Sequence, residues 1–232
     1  MIEQIRHHPL TGKPLGPHWP RLVDMLARHE VTLVLDIGAN IGQYAAALRA
    51  SGFPGRILSF EPLSAAHAEL ARAAAADRDW VVAPRSAVGA GIGTLTINVS
   101  ANSDMSSALR FSADAQDRFD SDRAIGTEIS PMTTVDSIVA EHAKPDDRIL
   151  LKSDTQGYDL EVIRGAAPAL QRIAGLQIEV SLCPIYQGQP DWRAIVDFLG
   201  RYGFEIHFVI PGYYSKAHRR MMEIDLVFFR EG

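Results

Sequence analysis

The sequence predicts an α/β protein with a doubly wound, mostly parallel sheet that ends in an antiparallel hairpin. From residue 31 onward, apolar runs rich in β-branched residues alternate with amphipathic segments, which is typical of strands and helices that alternate along a chain. The last two strand-like runs, FEIHFVI and EIDLVFF, have no helix between them, so we expect them to pair antiparallel. Hydrophobic residues make up 47% of the chain, enough for a sizeable core.

The first half of the chain predicts an N-terminal unit and three strands. Residues 1–20 carry four prolines and predict an extended arm, and RLVDMLARH (21–29) predicts a helix, so that 1–30 form an arm and helix. The strand VTLVLDIG, the helix QYAAALRASG and the strand RILSFEP follow. Ser64 is the expected cap of the helix AAHAELARAAAA. WVVAPRSAVG predicts a third strand, with GTLTINVS paired beside it.

Residues 31–232 predict a single domain with a polar insertion at about 100–132. The insertion is rich in Ser and Asp and predicts either a mobile lid or a partly ordered segment. Beyond it, TTVDSIVAEH predicts a helix capped by Thr133 or Thr134. DRILLKSD predicts the fourth strand, YDLEVIRGAAPALQR one helix, GLQIEVSL the fifth strand and DWRAIVDFLGRYG the last helix.

Composition narrows the classes of partner and compartment. The formal net charge is −5 and the isoelectric point is near 5.9, so no overall positive field favours nucleic acid. No apolar run reaches the length of a membrane span, and no secretory signal is visible. The single cysteine, Cys183, excludes an internal disulfide and favours a reducing compartment. We therefore expect a cytoplasmic protein, with the proline-rich arm as a candidate contact in a homodimer.

Two acidic residues follow neighbouring strands and suggest a nucleoside site. Asp36 ends the first strand, and Gly38 and Gly42 lie in the turn after it, where backbone can approach a ligand. The turn lacks the G-x-G-x-x-G pattern of dinucleotide folds. Because a carboxylate repels a pyrophosphate, Asp36 favours a cationic ligand such as S-adenosylmethionine. Glu61 ends the second strand, where an acid is expected to hold ribose hydroxyls.

Four stretches of the chain resemble the FkbM family of S-adenosylmethionine-dependent O-methyltransferases. They are LDIGANIGQYA, SFEP, LLKSDTQGYDLEVIRGA and IEVSLCPIYQGQP. The resemblance implies a Rossmann-like class I methyltransferase fold with a seven-stranded sheet. It also implies methyl transfer to a hydroxyl of a sugar, an oligosaccharide or a glycosylated small molecule. The family commonly has Glu at the positions of Gln156 and Asp159, so a role that needs a charge at position 156 is not carried over.

The resemblance also implies a set of cofactor-binding residues. The methionine side would be lined by the first turn, the ribose would be held by Glu61, and the adenine would lie beside the residues after the third strand. A Ser-rich segment, NSDMSSAL, would lie near the cofactor. The residues for these roles are Asp36, Gly38, Asn40, Gly42, Gln43, Glu61, Ser86, Ala87, Asn102, Ser106 and Ser107.

The fourth strand supplies the candidate catalytic residues. Asp154 ends this strand, and Lys152 lies two residues earlier, on the same face of a regular strand. Gln156 follows in the next loop. A sugar hydroxyl is a weak acid, so a base or a metal ion should help to remove its proton. Two mechanisms stay open. Asp154 acts as a general base, or Asp154 with Glu179 and Asp225 binds a divalent cation such as Mg²⁺.

The candidate acceptor-binding residues are Tyr158, Glu179, Tyr186 and Gln187. They follow the fourth and fifth strands, where polar and aromatic groups could hold a small-molecule or glycan acceptor. A rival hypothesis is a catalytically inactive module of the same fold that binds cofactor or serves as a scaffold, and Gln156 is its support. An NAD-dependent oxidoreductase is disfavoured by Asp36 and by the missing third glycine.

Overall fold

The computed structural model describes residues 7–112 and 124–230 of the chain, and its centre is a seven-stranded sheet. The strands in chain order are β1 (Leu33–Ile37), β2 (Arg56–Phe60), β3 (Trp80–Val82), β4 (Ala87–Val88), β5 (Gly93–Ser100), β6 (Ala124–Thr133), β7 (Ile149–Ser153), β8 (Ile173–Ser181), β9 (Phe204–Pro211), β10 (Tyr214–Ser215), β11 (Arg220–Met221) and β12 (Glu223–Arg230). The helices are α1 (His18–Arg28), α2 (Gln43–Ala50), α3 (Ser64–Ala74), α4 (Val135–His142), α5 (Asp159–Arg164) and α6 (Trp192–Gly200).

The central sheet has the order β3-β2-β1-β7-β8-β12-β9. The pairs from β3 to β8 are parallel, whereas β12 pairs antiparallel with both β8 and β9. The Rossmann-like class I methyltransferase architecture predicted from the sequence is therefore confirmed, including the C-terminal antiparallel hairpin. The carboxyl ends of β1, β2, β7 and β8 meet at one edge of this sheet, and this edge carries the site.

Two apolar clusters cover the two faces of the sheet. Leu33 and Leu35 of β1 pack into a cluster with α4, α5 and α6, whereas Val34 packs into a cluster with α1, α2 and α3. The alternation of neighbouring side chains between the faces of a strand produces this division. All five residues of β1 are buried, so its carboxyl end is packed on both faces beneath the loop that follows.

The region around residues 80–133 differs from the prediction of one strand with an arm beside it. Residues 80–89 form two strands, since β3 joins the central sheet while β4 belongs to a second sheet of order β4-β6-β5. Pro84 between them lacks the N–H that a continuing strand needs. GTLTINVS is a strand as expected, but it pairs with β6, which falls within the predicted insertion. Residues 113–123 of that insertion lie outside the described residues.

Two helix predictions also need correction. Ser64 does not cap α3, because it is the first helical residue and Leu63 occupies the cap position. The Ser64 N–H instead donates to a carboxylate oxygen of Glu128 in β6, at 3.0 Å. The single helix predicted over 158–172 is two pieces, α5 and a 3₁₀ helix at Ala167–Arg172 that has a proline in its first turn. The predicted cap at Thr134 is confirmed, since its side chain accepts a hydrogen bond from the Ser137 N–H.

The described part of the N-terminal arm, residues 7–17, lies on the domain. The His8 ring bonds the Gln43 carbonyl at 2.8 Å, so the arm reaches the start of α2. The rest of the arm, residues 1–6, lies outside the described residues. In residues 7–112 and 124–230, no helix has the length and apolar character needed to cross a bilayer.

Substitution of Gly165, which follows α5, tests how closely this face is packed. A Cβ at Gly165 would lie 2.0 Å from the carbonyl oxygen of Gly89, a backbone atom that cannot move aside cheaply. We expect Gly165→Ala to lower the free energy of unfolding by about 1–3 kcal/mol in urea titrations. Gly200→Ala is the control, because a Cβ there meets nothing within 4 Å. An equal, small effect of both variants would contradict this packing.

Candidate functional site

A cavity of about 550 Å³ opens at the carboxyl edge of the central sheet. This volume falls in the range of small-molecule and cofactor sites. The ends of β1, β2, β7, β8 and β12 form its floor, while the N-terminal arm and residues 103–108 form part of its walls. Of the predicted site residues, the following line it: Gly38, Asn40, Gln43, Glu61, Ser86, Ala87, Ser106, Ser107, Lys152, Asp154, Gln156, Tyr158, Glu179 and Asp225.

The loop after β1 is held against the end of β7 by close backbone packing. Gly38 has φ +71°, and a Cβ there would lie 1.9 Å from the Asp154 carbonyl oxygen. Only glycine fits a left-handed conformation at such a close approach. Gly42, with φ +94°, occupies the cap position before α2 and does not line the cavity, and a Cβ there would lie 2.8 Å from the Trp80 ring. The glycines therefore shape the loop and bring it beside the candidate catalytic strand.

Asp36 lies behind the cavity wall, which corrects the expectation that it lines the methionine side of the site. Its side chain is fully buried and is not among the lining residues. The Ser59 hydroxyl donates to Asp36 Oδ2 at 3.0 Å, and Lys152 Nζ lies 3.3 Å from Asp36 Oδ1. The Asp36 carboxylate is therefore paired with the Lys152 ammonium. Of these two side chains, only Lys152 lines the cavity.

Lys152 is the only lysine or arginine among the described residues that line the cavity. Its ammonium lies 3.3 Å from Asp36, 3.7 Å from Asp154 Oδ2 and 3.3 Å from the Gly38 carbonyl oxygen that accepts its hydrogen bond. Burial opposes the charge, but the carboxylates of Asp36 and Asp154 outweigh burial and raise the pKa of Lys152 above its ordinary value. Lys152 thus stays cationic and links the strand ends of β1 and β7.

Glu61 holds the loop after β1 with both of its carboxylate oxygens. Oε2 accepts from the Asn40 N–H at 2.8 Å, and Oε1 accepts from the Leu63 N–H at 2.9 Å. Burial raises the pKa of Glu61 to about 7, even though these two hydrogen bonds favour the ionised form. Each oxygen keeps a further lone pair that can accept a bond from a ligand hydroxyl.

Gln156 connects the candidate catalytic carboxylates. Its Nε2 donates to Asp154 Oδ1 at 2.9 Å and to Glu179 Oε2 at 2.6 Å. The Tyr186 hydroxyl shares its proton between Gln156 Oε1 at 2.8 Å and the Met105 carbonyl at 3.1 Å, which agrees with the amide nitrogen pointing toward the two acids. Ser107 donates to the Gln156 backbone carbonyl at 2.7 Å. An uncharged amide here supplies the two N–H donors that a glutamate would lack.

Three further acids face the same region, on β8 and β12. Asp225 lies opposite Glu179 in the antiparallel pair, and Gln177 donates to Asp225 at 3.1 Å. Burial, reinforced by Asp154, raises the pKa of Glu179 well above its ordinary value. Burial also raises the pKa of Glu223 to about 7 and that of Asp225 to about 6. Within residues 7–112 and 124–230, no group of three or more acidic, histidine or cysteine side chains is arranged to hold a metal ion.

Tyr186 and Gln187 do not line the cavity, which corrects their expected contact with an acceptor. Tyr186 is buried against Phe111, and Gln187 Nε2 donates to the Phe111 carbonyl at 3.0 Å. Both residues therefore attach the segment before residue 113 to the loop after β8. Asn102 does not line the cavity either. Its side chain caps the short 3₁₀ helix Ser103–Met105.

Several lining residues were missed by reasoning from sequence. Asp104 accepts hydrogen bonds from the side-chain amides of Asn40 and Gln43, and so connects the insertion to the loop after β1. Glu223 lies two residues before Asp225, and this spacing places both on one face of β12. That spacing was the available signal for Glu223. Trp19 and Tyr44 also line the cavity, and their ring centroids lie 5.4 Å apart. The sequence gives no signal for this contact, because the two residues belong to different helices.

The substitution Gln156→Glu tests the amide between the carboxylates. At pH 8 we expect it to lower the free energy of unfolding by an amount on the order of 2 kcal/mol, because both donors are lost and a third carboxylate is added. At pH 5 the deficit shrinks, since a protonated carboxyl can donate one bond. Urea titrations at both pH values measure this. Gln171→Glu, an exposed site, is the control, and a deficit independent of pH would contradict the prediction.

Comparisons with known proteins agree with this geometry. Residues 36–206, more than half of the chain, match the family model described as Methyltransferase FkbM domain. No curated protein matches the chain. A putative methyltransferase from Thermobifida fusca superposes with a TM-score of 0.50 at 10% identity, covering 92% of this chain and 79% of that one. The METTL16 MTase domain gives a TM-score of 0.50 at 10% identity, covering 94% of this chain and 69% of that one.

At these identities the structural likeness shows the fold alone. The family model adds the sequence pattern, and its span includes the loop after β1, Glu61, Lys152, Asp154 and Gln156. The chain therefore belongs to the FkbM methyltransferase domain family, whose reaction is methyl transfer from S-adenosylmethionine.

Proposed function

We propose that this protein transfers a methyl group from S-adenosylmethionine to a hydroxyl of a sugar, an oligosaccharide or a glycosylated small molecule. The observation that supports this most is the position of Asp154. It directly follows β7, lines the cavity, and lies between the loop after β1 and the acids of β8 and β12. A proton acceptor is thus held between a side suited to a nucleoside and a polar side suited to a hydroxylated acceptor.

The residues on the β1–β3 side of the cavity suit the cofactor. Asn40 Oδ1 is buried and has no partner among the described residues, so it can accept a bond from the ammonium of the methionine part. The free lone pairs of Glu61 suit ribose hydroxyls. Ser86 and Ala87 lie beyond β3, where the adenine would lie. When bound, S-adenosylmethionine supplies a methyl group on a sulfonium that is already a good leaving group.

The chain must mainly orient the acceptor and take its proton. Asp154 would accept the hydroxyl proton as general base. Lys152 and Gln156 each contact one oxygen of Asp154, and together they fix the direction of its carboxylate. This orientation is a large part of what such a reaction needs, because the reacting atoms must be aligned at close range.

The acceptor side of the cavity is rich in hydrogen-bonding groups. Glu179, Asp225 and Gln177 line it, together with Tyr158. Carboxylates and amides of this kind favour a hydroxylated acceptor over a flat apolar one. The Mg²⁺ alternative has no arranged ligand set among the described residues, and we therefore propose proton removal by Asp154 without a metal.

Replacement of the proposed base tests this function. We expect Asp154→Asn to lower kcat for methylation by about 10²–10⁴-fold, while the affinity for S-adenosylhomocysteine in calorimetry changes little. Turnover is followed as S-adenosylhomocysteine release with methyl glycosides of glucose, mannose, galactose and rhamnose. Asp146→Asn, at an exposed position, is the control for the loss of one carboxylate.

The same assay separates the alternatives. Full activity in excess chelator excludes the metal mechanism, whereas loss of activity that Mg²⁺ restores would contradict the metal-free proposal. Binding of S-adenosylhomocysteine without turnover of any glycoside would favour the inactive module, for which Gln156 is the supporting residue. No binding of S-adenosylhomocysteine would contradict the proposed function as a whole.

Several finer expectations stay predictions. They are the glycan nature of the acceptor, the absence of a nucleic-acid partner, the cytoplasmic location and the homodimer. The assignment of individual residues to the cofactor and the acceptor also stays a proposal until a ligand is bound.

A further inference from the structure

Glu223 is a buried acid that the proposed methyl transfer does not use. The residue is 6% exposed and lines the cavity. Its backbone is fixed, because its carbonyl accepts from the Gly212 N–H at 3.2 Å and its N–H donates to the Tyr213 carbonyl at 3.4 Å. In residues 7–112 and 124–230, no hydrogen-bond donor or cation pairs with its carboxyl group. Its oxygens are not among the buried atoms that lack a partner, so they are open to the cavity, where water or the polar group of a ligand can pair with them.

The charges that act on Glu223 are all negative. Asp154, Asp225 and Asp159 repel its ionised form and, with burial, raise its pKa. Among the described residues, the only lysine or arginine that lines the cavity is Lys152, whose ammonium is already occupied by Asp36, Asp154 and the Gly38 carbonyl. This end of the cavity therefore carries carboxyl groups without a matching positive charge.

The sheet order places Glu223 away from the cofactor side. β12 is separated from β1 by β7 and β8, and three steps of strand spacing put it roughly 14 Å from β1. The residues proposed for the ribose and the adenine follow β2 and β3, on the opposite side of β1. Glu223 and Glu179, on adjacent strands, therefore face the volume left for the acceptor.

We propose that the acceptor carries a protonated amine, as an amino sugar does, and that this ammonium binds against Glu223 and Glu179. This inference rests on the proposed function, because it takes the hydroxylated acceptor as given and adds a cationic group to it. An ammonium has three donors, which suit carboxylates on two neighbouring strands. Charge-assisted bonds of this kind are short and strong, so they would select the amine over an uncharged analogue.

Matched acceptors test the proposal on the full chain. The probes are methyl glucosaminide, its N-acetyl derivative and methyl glucoside, titrated by NMR into protein saturated with S-adenosylhomocysteine at neutral pH. We expect the amine to bind about tenfold more tightly than either neutral probe. In Glu223→Gln the preference falls to about twofold or less, with the affinity for S-adenosylhomocysteine unchanged. Glu205→Gln, an exposed acid on β9, keeps the preference.

Each other outcome overturns the proposal. Equal binding of the amine and the neutral probes, or no binding of the amine, contradicts it. A loss of S-adenosylhomocysteine affinity in Glu223→Gln means that the acid serves the cofactor instead. Methylation of neutral glycosides at the rate of amines leaves the proposed function standing while the amine preference fails. Absence of any S-adenosylhomocysteine binding removes the proposed function itself, so the two failures are distinguishable.

Discussion

The buried ammonium of Lys152 is the interaction on which the rest of the site depends. It lies between Asp36 on β1 and Asp154 just after β7 and also donates to the Gly38 carbonyl, so one charge organises two neighbouring strand ends. Loss of one partner from such a buried set leaves an uncompensated charge, which typically costs about 3–5 kcal/mol. The close contact of Gly38 with the Asp154 carbonyl requires that these strand ends stay in register. The pairing thus couples the fold to the position of the proposed base.

From this centre the cavity divides into two sides of different chemistry. Toward β2 and β3, Glu61 and Asn40 present acceptors around a tight backbone loop, which suits a nucleoside with an ammonium. Toward β8 and β12, Glu179 and Glu223 present carboxyl groups, and Lys152 is the only lysine or arginine of the described residues that lines the cavity. Gln156 lies at the boundary and supplies donors to Asp154 and Glu179. Its amide lets two acids stand close together without a metal between them.

The sequence predicts the central sheet well because its strands are buried runs with clear periodicity. It predicts the second sheet poorly, since β6 is mostly exposed and carries little apolar signal. Asp36 and Glu61 were both expected to face the cofactor, but the side chain of Asp36 is buried and paired with Lys152. Contacts between distant segments, such as Tyr186 with Gln156, leave no local pattern. A strand-end acid can therefore be located from sequence, whereas the direction of its side chain depends on its partners.

The most direct test of this division is a crystal structure with S-adenosylhomocysteine bound. The account predicts adenine beside Ser86 and Ala87, ribose hydroxyls on Glu61 and the homocysteine part beside Asn40, with Glu223 left uncovered. A ligand that lies over Glu223, or that binds outside the cavity, would contradict it.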